Sequence, residues 1–81
     1  MARYDPLHDE LFRDGRPKIT MTFDELERLV GPLPPSALNH DRWWANEDHH
    51  TTRHVQCKAW GAAGYSVSVD RASRRANFTR N

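Results

Sequence analysis

Apolar positions along this chain follow a helical period in some segments and a two-residue period in others. Leu7, Leu11 and Phe12, with Tyr4 just before them, form a stripe at helical spacing. Pro6 opens that segment, because its missing N–H costs nothing in a first helical turn, and Gly15 closes it. Lys18-Ile19-Thr20-Met21-Thr22 alternates polar and apolar and predicts a short strand. Thr22 and Glu25 stand at capping-box spacing, which predicts a helix from Phe23 to Val30 with Phe23, Leu26, Leu29 and Val30 inward. Gly31 and Pro32 stop it. Pro34 and Pro35 cannot sit inside a helix but can start one, so a short helical turn is expected from Pro35 to His40. Trp43 and Trp44 are adjacent and cannot share one helix face. One of the pair belongs in the core and the other over an edge; Trp44 is the core candidate and Trp43 the partly exposed one. Glu47 to His50 is polar and reads as loop.

From Thr51 to Ala63 the apolar residues Val55, Ala59, Trp60 and Ala63 predict a helix, with Trp60 in the core. Gly64 stops it, since a left-handed residue is cheapest without a Cβ. Tyr65-Ser66-Val67-Ser68-Val69 and Arg74-Arg75-Ala76-Asn77-Phe78-Thr79 both have the period of a half-buried strand, and Asp70-Arg71-Ala72-Ser73 is the turn between them. The order is helix, strand, helix, short helix, helix, hairpin. A winged helix runs helix, strand, helix, helix, strand, wing, strand, so the expected fold class is α+β, a small winged-helix-like domain in which the Trp43–His50 segment is extra.

At 81 residues the chain holds one domain, 1–81, with a lean core to which three Trp, three Phe and two Tyr supply much of the burial. One cysteine excludes an intramolecular disulfide and points to a reducing compartment. Neither a signal peptide nor a membrane-spanning run is visible, so a cytoplasmic (nucleoid) location with no membrane partner is expected. The net charge of +1 divides unevenly. Residues 1–40 carry five Lys and Arg against seven Asp and Glu, whereas residues 41–81 carry seven against four. The cations thus gather in the half that holds the predicted helix–hairpin unit.

That unit suggests how the chain would meet double-stranded DNA. Thr51, Thr52, Arg53, His54, Gln56 and Lys58 can project from the apolar stripe of the 51–63 helix into a major groove. Arg suits a guanine edge, Gln an adenine edge, and Thr a thymine methyl or a phosphate. Arg71, Arg74 and Arg75 on the hairpin would hold the backbone or enter a minor groove. The expected function is a small transcriptional regulator or nucleoid-associated protein, acting either as a homodimer through the first helix or as many copies along the DNA. The competing expectation is a protein-interaction module or small inhibitor docking on a larger enzyme through Trp43, Tyr65 and the acidic Asp24, Glu25 and Glu27. Asn46 either bonds a base or caps the following turn.

Other chemistries are thinner. His50, His54 and Cys57 would share one face of a helix, with His40 or His49 as a fourth metal ligand, but zinc sites normally use paired ligands and no second cysteine exists. No metal and no cofactor are expected. Cys57 beside His54 lacks a third group to orient a base, and no glycine-rich phosphate loop is present, so no catalytic residues are assigned.

Tyr4-x-Pro6-Leu7, Phe23-Asp24-Glu25-Leu26-Glu27, Leu33-Pro34-x-Ser36-Ala37, Trp43-Trp44-x-Asn46 and Ala59-Trp60-x-x-Ala63-Gly64-Tyr65 form a pattern over nearly the whole chain. It resembles a small bacterial domain family of unknown function, found alone or appended to larger proteins. The resemblance implies a single intact domain and carries no activity with it; Val55 and Cys57 depart from the pattern.

Overall fold

The computed structural model describes residues 3–81. The elements are α1 (Asp5–Asp14), β1 (Lys18–Thr22), α2 (Phe23–Val30), α3 (Pro35–Asn39), a 3-10 turn (Asp41–Trp44), α4 (Val55–Ala62), β2 (Tyr65–Asp70) and β3 (Arg75–Arg80). The strands form one antiparallel sheet in the order β1-β3-β2. Fold class is therefore α+β. No helix among the described residues is long and apolar enough to cross a membrane.

Strand alternation decides which face of the sheet is covered. Ile19, Phe78 and Val67 stand in register across the three strands, as do Met21, Ala76 and Val69. These rows point into the core, and the intervening Thr20, Asn77 and Ser68 point away from it. Thr20 Oγ1 donates to Asn77 Oδ1 at 2.9 Å across that outer face. The helices supply the second layer. Leu7 and Leu11 of α1, Phe23, Leu26 and Val30 of α2, Ala37 of α3 and Cys57, Ala59 and Trp60 of α4 are all buried.

An aromatic column ties the layers together. Phe23 stacks on Trp44 with ring centres 5.4 Å apart, Trp44 stacks on Trp60 at 6.2 Å, and Trp60 tilts against Phe78 at 6.3 Å. Trp44 is buried and Trp43 half-buried, as their adjacency requires. The Trp44 indole N–H donates to the Ala37 carbonyl at 2.9 Å, whereas the buried Trp60 Nε1 has no acceptor among the described residues.

Local signals hold where their partners are close in sequence. Thr22 accepts from the Glu25 N–H, and the Glu25 carboxylate accepts from the Thr22 N–H, both at 3.1 Å. Gly64 follows α4 with φ +91 and donates to the Gly61 carbonyl at 3.0 Å.

Three expectations are corrected. Phe12 does not join the inner stripe of α1: it is 70% exposed and stacks on His8, because Leu7 and Leu11 already define the inward face. The helix expected over 51–63 begins only at Val55, so Thr51, Thr52, Arg53 and His54 are not helical. Local turns upstream take these backbone groups instead: the Asp48 main-chain carbonyl accepts the N–H groups of Thr51 and Thr52, and the Thr52 side-chain Oγ1 accepts the His54 N–H at 3.1 Å. Val55, expected inward, is 49% exposed.

Candidate nucleic-acid interface

Where the 3-10 turn, the start of α4 and the β2–β3 turn converge, the surface opens into a cleft of about 630 Å³. Its lining includes His40, Arg42, Trp43, His54, Gln56 and Arg71. Asp41 also borders it, and its carboxylate accepts from Arg71 Nε at 2.6 Å. The hairpin turn is thereby held against the 3-10 turn. An exposed pair of this kind is worth about 0–1 kcal/mol, so the guanidinium can exchange partners at small cost.

His54 occupies the N-cap position of α4 and makes no side-chain cap bond to the helix. Its Nδ1 instead lies 2.6 Å from Glu47 Oε1, which also accepts from Thr52 Oγ1 at 2.7 Å. Those two hydrogen bonds, Thr52's foremost, hold the Glu47 carboxyl below the usual glutamate range. The first N–H groups of α4 carry the positive end of its dipole toward the same region.

The predicted contact residues do not stay together. Arg53, His54 and Arg71 are exposed, and His54 and Arg71 meet at the cleft. Thr51 is exposed but belongs to the turn closed by Asp48. Thr52 and Gln56 face inward, which corrects their assignment as base readers. Thr52 is tied to Glu47, and the Gln56 amide donates to the Trp43 carbonyl at 3.2 Å. Lys58 lies elsewhere, on a shallow groove with Tyr4, Asp5, His8, Val55 and Ala62. Arg74 is also displaced: its φ of 57 closes the hairpin turn, its carbonyl accepts the Phe23 N–H at 2.9 Å, and its guanidinium lies 5.6 Å over the Phe23 ring. Arg75 is exposed at the start of β3, opposite Thr22 and Asp70.

Sequence reasoning missed Arg42 and His40 as cleft residues. Both lie near the aromatic pair Trp43-Trp44, but only the fold brings them to Arg71. Asn46, expected to bond a base or cap the following turn, does neither. Its side-chain amide donates to the Val67 carbonyl at 2.8 Å and accepts the Val67 N–H at 2.7 Å. It pairs with the outer edge of β2 as a strand residue would, which also blunts that edge.

The docking surface weighed for a protein partner is dispersed. Tyr65 is buried with its hydroxyl on the Arg16 carbonyl, Glu25 is spent in the α2 cap, and Glu27 accepts the Leu33 N–H. The helical metal set does not form either. Cys57 is buried, its Sγ donates to the Glu47 carbonyl and accepts the Glu47 N–H, and burial pushes its thiol pKa up.

The molecule is thus a single-sheet α+β domain with a cleft bordered by Trp43, Arg42 and the Arg71–Asp41 pair. Its sequence matches the family described as "Domain of unknown function (DUF7662)" over residues 4–81, and the chain belongs to that family. No curated protein matches it, and no solved structure does.

Proposed function

We propose that this domain binds double-stranded DNA, as a small transcriptional regulator or a nucleoid-associated protein of the cytoplasm, through the end that carries the cleft. The observation that supports it is the convergence of Arg42, Arg71, His40 and His54 on one opening, with Asp41 already paired to Arg71. The element order shares with a winged helix the opening helix, strand, helix and a last helix, α4, that leads directly into the hairpin; α3, the 3-10 turn and the 45–54 loop are additional.

The roles differ from those the sequence suggested. Arg42, Arg71 and Arg75 hold phosphates, and Arg53 and His54 are left to approach base edges. The outward side of α4 offers Val55 and Ala62 with Lys58 as its one hydrogen-bonding side chain, so sequence preference is weak. One copy makes few contacts, and the exposed Phe12 of α1 is the natural centre of a homodimer.

Binding of a random-sequence duplex, measured by anisotropy over a salt series, tests this. A steep loss of affinity with salt is expected, about 0.9 in the log–log slope for each phosphate engaged. Arg53→Ala should cost about 1–3 kcal/mol on a selected site and less on random DNA. Absence of binding at low salt, or a salt-independent affinity, overturns the proposal.

A further inference from the structure

The loop between the 3-10 turn and α4 gathers a donor set that the cleft does not use. Asp48, His49 and His50 each present one ligand atom, and these atoms lie within 4.8 Å of one another. The two imidazole rings sit with centres 4.0 Å apart. The loop is pre-shaped around them. Asp48 Oδ1 accepts the His50 N–H at 2.9 Å, and the Asp48 carbonyl accepts the N–H groups of Thr51 and Thr52 at 3.1 and 2.9 Å.

His49 is half-buried against α4, and a glycine makes that possible. A Cβ at Gly61 would stand 2.6 Å from the His49 Cβ, too close for any other residue without displacement. One ligand is thus fixed by packing, while the side chains of Asp48 and His50 are exposed, and Asp48 keeps Oδ2 available beside the Oδ1 that accepts the His50 N–H. Two imidazoles and a carboxylate suit zinc and its first-row neighbours, and disfavour calcium or magnesium, which select oxygen donors. Metal bonds of about 2.0–2.2 Å place ligand atoms roughly 3.3 Å apart in a tetrahedron. Side-chain rotation closes the difference from 4.8 Å.

We propose that Asp48, His49 and His50 bind one first-row divalent cation, zinc foremost, with solvent completing the coordination. The ion pins the loop to α4 across Gly61, and with it the position of Arg53 and His54. This site stands on its own donors and does not depend on DNA binding.

The test uses the full chain, stripped with a chelator and titrated with zinc chloride by calorimetry. One equivalent is expected to bind. Asp48→Ala and His50→Ala should each weaken it about tenfold or more. Both positions are exposed, and an unchanged far- and near-UV spectrum confirms that each variant remains folded. His54→Ala should leave zinc affinity within about twofold, and cobalt should give a d–d spectrum without thiolate charge transfer, because neither His54 nor Cys57 is a ligand. No heat up to millimolar zinc, equal affinity in the Asp48→Ala/His50→Ala double variant, loss of binding in His54→Ala, or a thiolate band with cobalt each overturns the proposal.

Discussion

The segment Thr22–Val30 and the segment Ala45–His54 are similar in length, but the first carries four large apolar residues and the second none, and they are fastened differently. In the first, the organising bonds join near neighbours: Thr22 with Glu25, and the Gly31 N–H with the Glu27 carbonyl. The second has internal bonds as well, from Asp48 to Thr51 and Thr52 and from Glu47 to Thr52 and His54, but it is also tied to elements that follow it. Asn46 reaches Val67, Glu47 reaches Cys57, and His49 rests on Gly61. The caps of α2 are closed by residues within or beside the segment, although an eight-residue helix persists only through its packed face of Phe23, Leu26 and Val30. The 45–54 loop is secured in addition by an edge strand and a helix that follow it. The end fastening of the first region is therefore local, and that of the second is shared with the sheet and α4.

Trp44 lies beneath both regions, stacked on Phe23 at the start of α2 and on Trp60 of α4. Trp44→Ala is expected to cost about 3–5 kcal/mol in urea unfolding, the largest effect of any single change considered. Loss of the column should loosen both regions together. If the cost is under about 1 kcal/mol, the column does not couple them and the contrast is merely one of neighbouring independent units.

Smaller changes separate the two. Asn46→Ala removes both bonds to the Val67 backbone and should cost about 1–2 kcal/mol. Its signature is faster amide exchange at Val67, 21 residues away from the change. Thr22→Ala removes the α2 cap and should cost about 1 kcal/mol, with faster exchange confined to the first turn of α2. Exchange spreading into β2 after Thr22→Ala would contradict the local character assigned to that helix. The same cap has an acid signature. Backbone and hydroxyl hydrogen bonds from Thr22 hold the Glu25 carboxyl below its ordinary range. A depressed folded-state pKa contributes stability above the unfolded value and loses it as pH falls through the folded one. The difference between Glu25 and a Glu25→Gln variant should therefore vanish under acid conditions and be present at neutral pH.

These contrasts explain what could be read in advance. The capping box, the stop at Gly64, the buried Trp60 and the alternation of the strands were legible because each is a pattern over a few residues. The 51–63 helix was over-extended because Val55, Ala59, Trp60 and Ala63 fit a helical period, and nothing local reveals that Asp48 and Thr52 take the backbone bonds first. Of the candidate interface, Arg53, His54 and Arg71 are exposed, although Arg53 and His54 precede α4 and do not lie on it. Gln56 and Thr52 were misplaced because their inward partners, Trp43 and Glu47, lie in the segment whose course the sequence left open. Arg42 and His40 were hidden for the same reason.

The smallest expected stability effect falls on the cleft, where it is most informative. Arg71 bridges the hairpin turn to Asp41, and both side chains are solvent-accessible. Arg71→Ala should change unfolding free energy by about 0–1 kcal/mol while lowering the DNA salt slope by about 0.9. Asp41→Asn provides the sharper arm. It removes the carboxylate that competes with phosphate for Arg71 and leaves the cation in place, so duplex affinity should rise while stability barely moves. A docking role for Arg71 in holding the hairpin predicts the reverse: both variants would loosen the turn, and Asp41→Asn would weaken DNA binding as much as Arg71→Ala. The sign of that one change decides whether the guanidinium is a strut of the fold or a cation held in readiness for a phosphate.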